Sequence, residues 1–171
     1  MQRAKSTLKK FNYQHLLEQT LKTLEAECGA KPSLLLHACC GPCSSYVIEY
    51  LASFFDITIL YYNPNIYPQE EYRRRFDELK NLLPRFSPAV QNSVKLVEDN
   101  YDPKEFYEAS GVQDEPMLAQ EAEKGERCRR CYELRMKRAY EYAVQNKFDY
   151  FTTTLSISPF KDAEKINEIG T

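Results

Sequence analysis

An α/β fold, a parallel sheet flanked by helices, is predicted by three features of this 171-residue sequence. From Leu34 onward, short apolar runs alternate with amphipathic stretches of helical period, the pattern of a layered parallel sheet. The runs Ser33 to His37 and Asp56 to Tyr62 are apolar almost throughout, as strands covered on both faces are. Strands also end at residues that carry chemistry, and open parallel sheets bind ligands beyond the carboxyl ends of their strands.

Met1 to Lys10 is a basic leader with no apolar stretch of the kind a secretory signal needs. Asn12 caps a covering helix whose apolar positions are Tyr13, Leu16, Leu17, Leu21 and Leu24, closed by Gly29 and Pro32. Residues 1–32 form this N-terminal part and 33–171 the α/β domain. Cys28, at the end of the covering helix, has no close cysteine partner and is expected to be a small structural residue. Ser33 to His37 is the first strand. Cys43 to Phe54 is the next helix, with Val47, Ile48 and Leu51 on one face. Asp56 to Tyr62 is the second strand and stops at the turn Asn63-Pro64-Asn65. Pro68 suits the first position of a helix running to about Leu83, acidic at its start through Glu70 and Glu71 and ended by Pro84.

Val94 to Val97 is a third short strand, and Asp102-Pro103 opens a brief helix stopped by Gly111. Val112 to Glu126 is acidic and weakly periodic, an irregular excursion able to act as a flap. A long helix runs from Cys128 to Asn146 on the stripe Tyr132, Met136, Tyr140, Ala143 and Val144. Phe148 to Thr154 is the next strand, and a further helix begins at Lys161.

A hydrophobic fraction of 43% is ample for one buried core, so a second domain is not expected. The net charge of -2 and a pI of about 5.8 exclude a generally basic surface; any nucleic-acid contact needs a local patch. No apolar run approaches the roughly 20 residues that span a bilayer, which predicts a cytoplasmic protein with no membrane partner. In that reducing compartment, six closely spaced cysteines point to metal binding or catalysis more than to a disulfide framework.

The cysteines form two clusters, Cys39, Cys40 and Cys43 after the first strand and Cys128 and Cys131 at the start of the long helix. Folding is expected to bring both to one metal centre. A helix N-terminus, with Arg127, Arg129 and Arg130 around the second cluster, favours thiolate, the form a metal needs. With His15 and His37 as the only histidines, soft sulfur ligands select iron–sulfur or zinc chemistry. An adjacent Cys-Cys pair is unusual in a closed zinc site, and a metal-free dithiol couple is the third reading. His37 is either a donor beside the cysteines or a satisfied strand residue. Asn63 and Asn65 mark the reactive edge. Tyr67 and Tyr72 just beyond it could stack on a splayed base, although most of the thirteen tyrosines belong to core or rim. Arg73 to Arg75 is either a phosphate patch or a solvated helix face. Thr152, Thr153, Thr154, Ser156, Ser158 and Lys161 make a hydroxyl-rich loop, an oxyanion or phosphate cradle or an ordinary N-cap.

HACCGPCS after one strand, YNPNIYPQEEYRRR after the next, RCRRCYELRM opening a long helix and TTTLSISPFKD after a strand together resemble the cobalamin-independent epoxyqueuosine reductases of the QueH type, over residues 33 to 171. The resemblance implies a fold similar to the nucleotide-binding α/β group, HUP-like or adenine nucleotide alpha hydrolase-like, with a cysteine loop in place of a glycine-rich phosphate loop. It implies reduction of epoxyqueuosine at the wobble position of tRNA, the last step of queuosine biosynthesis. By the same resemblance Cys39, Cys40, Cys128 and Cys131 would hold a [4Fe-4S] cluster, and Cys43, where some relatives carry Asp, would hold an adjacent mononuclear iron able to act as a Lewis acid on the departing oxygen. Catalytic roles are expected of Cys43 and His37, and substrate contacts of Asn63, Asn65, Tyr67, Tyr72, Arg73, Thr153, Thr154, Ser158 and Lys161. There is no cobalamin and no nucleotide fingerprint, so an external electron donor is expected. Relatives continue into a C-terminal segment with a redox-active Tyr-Cys-Gly-Cys pair, which these residues do not include.

Three rivals remain. A zinc-stapled RNA-binding module would use the same four cysteines structurally. An ATP-dependent tRNA-modifying enzyme of this fold class would need a phosphate loop after the first strand, where Pro42 removes a backbone donor. A thiol oxidoreductase would need an exposed, metal-free CxxC.

Overall fold

The computed structural model describes residues 12–27 and 29–170; most of the basic leader's neighbourhood, Met1 to Phe11, and Cys28 lie outside the described residues. The chain divides into two compact units, Met1–Ala30 and Lys31–Thr171. The first holds α1 (Tyr13–Ala26), begun by Asn12, whose side chain accepts the His15 N–H at 3.1 Å. It ends at Ala26, ahead of Gly29, because Glu27 already adopts an extended backbone. Among the described residues no helix is long and apolar enough to cross a membrane.

The second unit runs β1 (Ser33–His37), α2 (Gly41–Leu51), β2 (Asp56–Tyr61), α3 (Gln69–Leu82), α4 (Ser87–Gln91), β3 (Lys95–Glu98), α5 (Pro103–Ser110), α6 (Glu126–Gln145), β4 (Tyr150–Thr153) and α7 (Ala163–Gly170). Its four strands form one sheet in the order β3-β2-β1-β4, and every pairing is parallel. This is the α/β architecture expected from the alternation of apolar runs. The physical reason is visible in β1 and β2. Leu35, Leu60 and Tyr62 pack against Ala139 and Ala143 of α6. The alternating residues Leu34, Leu36, Ile57, Ile59 and Tyr61 point to the opposite face and are just as buried. Burying a large aliphatic side chain contributes about 1.5–3 kcal/mol, so these two strands anchor the unit.

The strand order reverses between β1 and β4: the chain builds outward through β2 and β3, then returns to the other side of β1. Such a switch point leaves a crevice at the carboxyl ends of the two strands, and the turns carrying Cys39 and Thr154 open into it.

Several boundaries differ from expectation. α2 begins at Gly41, not Cys43, because Cys40 takes the extended N-cap conformation and Pro42 fits the first turn. Pro68 is the N-cap of α3, behind a cis Tyr67–Pro68 bond, and the helix proper starts at Gln69. Pro84 sits within a 3-10 turn, Leu83–Arg85, and the five-residue α4 follows; both are too short to show a period. The acidic excursion contains a 3-10 turn, Pro116–Gln120. On α6 the buried stripe is Tyr132, Met136, Ala139 and Ala143, while Tyr140 and Val144 are exposed. After β4 the hydroxyl-rich loop coils into a third 3-10 turn, Thr154–Ile157.

Candidate functional site

His37, the last residue of β1, is fully buried with both ring nitrogens engaged. A carbonyl can only accept, so Nε2–H donates to the Tyr62 carbonyl at 2.9 Å, and Nδ1 accepts the Thr153 hydroxyl at 2.9 Å. Thr153 Oγ1 in turn accepts the Leu155 N–H at 3.1 Å. Burial, followed by the nearby Arg135 cation, lowers the His37 pKa to about 3, so the ring is neutral at physiological pH. Expected among the catalytic residues, His37 is placed as a strut joining the ends of β1, β2 and β4.

The next residues form the cysteine turn. Ala38 is tied on both sides, its N–H to the Leu60 carbonyl at 3.0 Å and its carbonyl to Asn63 Nδ2 at 2.9 Å. Cys39 and Cys40 follow, half-buried, with sulfurs 3.9 Å apart. Cys39 Sγ also lies 3.9 Å from Thr154 Oγ1 at the end of β4. The Cys40 thiol, then the Arg135 guanidinium and the Thr154 hydroxyl, hold the Cys39 thiol well below the usual range. The Cys39 thiolate and burial push Cys40 the other way. The pair therefore gives up one proton readily and the second with difficulty. Cys43 lies in the first turn of α2.

Cys128 and Cys131 lie in the first two turns of α6 and are buried. Cys128 belongs to an apolar cluster with Tyr132, Met136, Leu155 and Ile166, and Cys39 packs against that same cluster. The two ends of the sequence pattern thus meet on one patch. Cys39, Cys40, Cys43, Cys128 and Cys131 are all free thiols. Among the described residues, however, no three His, Cys, Asp or Glu side chains are gathered into a group able to hold a metal ion.

The arginines flanking Cys128 and Cys131 are occupied elsewhere. Arg127 donates to the carbonyls of Ala119 and Glu121, Arg129 pairs with Glu126 and Glu133, and Arg130 pairs with Glu115 and Glu126. The cation beside the cysteine turn is Arg135, which the sequence reading missed although it stands within RCRRCYELRM. A helix turn beyond Cys131, it shares that face of α6. Glu123 was missed as well: its Oε2 accepts from Cys128 Sγ at 3.6 Å and lies 3.5 Å from Lys161 Nζ, pinning the acidic excursion to the loop after β4.

The substrate candidates are scattered in depth. Asn63 is fully buried with both ends of its amide engaged, Nδ2 to Ala38 and Oδ1 to Arg135 Nη2 at 2.7 Å. Tyr72 is also fully buried, stacked on Tyr101 with ring centroids 3.9 Å apart and bonded to Glu98 at 3.2 Å, so its face is closed to a base. Arg73 is paired with the same Glu98, and Arg74 and Arg75 both pair with Glu71, as a solvated helix face does. Thr153 and Thr154 are buried beneath the cysteine turn, while Ser158 and Lys161 are half-buried. Tyr67 is 71% exposed. Asn65 is half-buried, and its Oδ1 faces inward without a hydrogen-bond partner.

A family model described as Epoxyqueuosine reductase QueH matches residues 34–171. The chain is 39% identical over 162 residues to a Streptococcus pyogenes serotype M1 protein named Epoxyqueuosine reductase QueH, covering 94% of this chain and 61% of the relative. A Staphylococcus epidermidis protein of the same name is 36% identical over 167 residues, covering 98% and 68%. One from Acinetobacter baylyi is 42% identical over 139 residues, covering 80% and 58%. The chain therefore spans roughly three fifths to two thirds of the length of these relatives.

Proposed function

The chain belongs to the QueH family of epoxyqueuosine reductases, and from that membership we propose that it reduces epoxyqueuosine to queuosine at the wobble position of tRNA. The reaction takes two electrons and two protons, releases the epoxide oxygen as water and leaves an alkene in the cyclopentane ring. The single observation that carries the reading is that two distant cysteine segments meet on one apolar patch, where Cys39 packs against the cluster that holds Cys128, beside the ends of β1 and β4.

The donor set fits an iron–sulfur cluster: the ligands available are soft sulfurs, and Arg135 is a buried cation whose Nε has no partner. Cys39, Cys40, Cys128 and Cys131 are the residues that would hold a [4Fe-4S] cluster, with Cys43 available to an adjacent mononuclear iron. The chemistry supplied there when a cluster is bound is the relay of electrons from an external donor. This chain's own residues do the remainder. His37, Thr153 and Asn63 hold the cysteine turn rigid against the strand ends. Exposed Tyr67 offers a ring on which a splayed base stacks. Thr154 and the apolar cluster around Leu155 keep water from the buried side of Cys39. The setting proposed is the cytoplasm, where tRNA and reduced thiols are both available.

Anaerobic purification with iron and acid-labile sulfide analysis, a visible spectrum, and assay on tRNA carrying epoxyqueuosine with dithionite as donor tests this. A brown protein that converts the nucleoside is expected, with iron and sulfide in equal amounts for the cluster alone and iron in excess where Cys43 holds a further iron. A colourless protein containing zinc, unfolded by chelation, overturns it in favour of a structural zinc module.

A further inference from the structure

Arg135 is only 3% exposed, and the partner of its guanidinium is an amide, not a carboxylate. Its Nη2 donates to the neutral amide oxygen of Asn63 at 2.7 Å, and its buried Nε has no hydrogen-bond partner. A guanidinium taken out of water costs several kcal/mol, which one neutral acceptor does not offset. Such a charge persists where an anion completes its surroundings. The side chains on its own face of α6 toward the helix start are thiols: Arg135 follows Cys131 by four positions and Cys128 by seven. Its partner Asn63 reaches in the other direction, bonding the carbonyl of Ala38 immediately before Cys39 and Cys40.

We propose that Arg135 is a positioning residue for the cysteine centre: through Asn63 it ties the turn bearing Cys39 and Cys40 to the helix bearing Cys128 and Cys131, and its buried charge is the counter-charge of the group those thiolates hold. This rests on the iron–sulfur reading above. A positive charge next to a thiolate-held cluster stabilises the reduced, more negative state, so its removal lowers the reduction potential.

The test uses the anaerobically loaded protein and three variants, with iron content, circular dichroism and the midpoint potential as readouts. Arg135→Gln keeps a donor for Asn63 and loses the charge. Arg135→Lys keeps the charge. Asn63→Asp keeps the side-chain shape and sets an opposing charge against the guanidinium. Arg135→Gln and Asn63→Asp are expected to fold and either to load iron at a potential more negative than wild type or to lose iron; Arg135→Lys is expected to lie nearer to wild type than Arg135→Gln. Wild-type potential and iron content in both Arg135→Gln and Asn63→Asp would overturn this inference and leave the reductase reading standing. Should Arg135→Gln fail to fold, Asn63→Asp decides on the same measurements. A wild-type protein that binds no cluster overturns that reading and this inference with it.

Discussion

His37 illustrates how burial assigns a role that residue type leaves open. A histidine next to cysteines at a strand end is chemically able to act as a base or a ligand, but this ring has no free nitrogen and no route to solvent. Its removal takes the donor from the Tyr62 carbonyl and the acceptor from the Thr153 O–H in the interior, each costing about 1–3 kcal/mol. His37→Ala is therefore expected to lose about 3 kcal/mol of stability, seen as a lower urea midpoint at unchanged slope; a midpoint equal to wild type would show that the strut carries no weight. Asn63 and Tyr72 follow the same logic. Their positions, in the turn after β2 and in the first turns of α3, are legible in the sequence, but a buried amide with both ends engaged and a ring stacked on Tyr101 are consequences of which neighbours fold over them. The cysteines were legible because thiols at such close spacing are scarce in any chain. Arg135 stood in the same motif and went unread, since nothing in a run of arginines says which one turns inward.

At the scale of elements, α6 does the most. Its first turns carry two of the thiols, its middle carries Arg135, and its buried stripe packs on β1 and β2 through the small residues Ala139 and Ala143. Small side chains let the helix axis approach the sheet closely, which sets the distance from Arg135 to the strand ends. Ala139→Leu would insert volume where Leu35, Leu60 and Tyr62 already meet, at a cost of about 1–3 kcal/mol. Thermal unfolding of this variant should show a lower midpoint than wild type, and an unchanged midpoint would mean that the helix sits more loosely than its burial indicates. The period of α6 was readable and Ala143 lies on the buried stripe as expected, but Tyr140 and Val144 are apolar yet exposed and Ala139 is buried in their stead, because hydrophobicity marks large side chains and close packing favours small ones. Short elements such as α4 escaped because five residues hold little more than one turn of the pattern.

For the molecule as a whole, the α/β unit has an apolar core built from its strands and helices. Cys128→Ala is accordingly expected to remain folded, at a cost of about 1 kcal/mol from the lost sulfur contacts in its apolar cluster, and on the proposed iron–sulfur reading to lose iron and visible colour. Collapse of its circular-dichroism signal would instead make the metal part of the folding energy, as in a zinc-stapled module. The sequence alone determined that strands and helices alternate, that the sheet is parallel and that thiols lie at strand ends and helix starts, because periodicity and residue chemistry are local properties of a chain. Only the tertiary structure decided which polar groups face the crevice and which are struts within it. Burial and partnership arise when segments far apart in sequence meet, as Thr153 meets His37 across 116 positions and Arg135 meets Asn63 across 72, and no local pattern encodes that meeting.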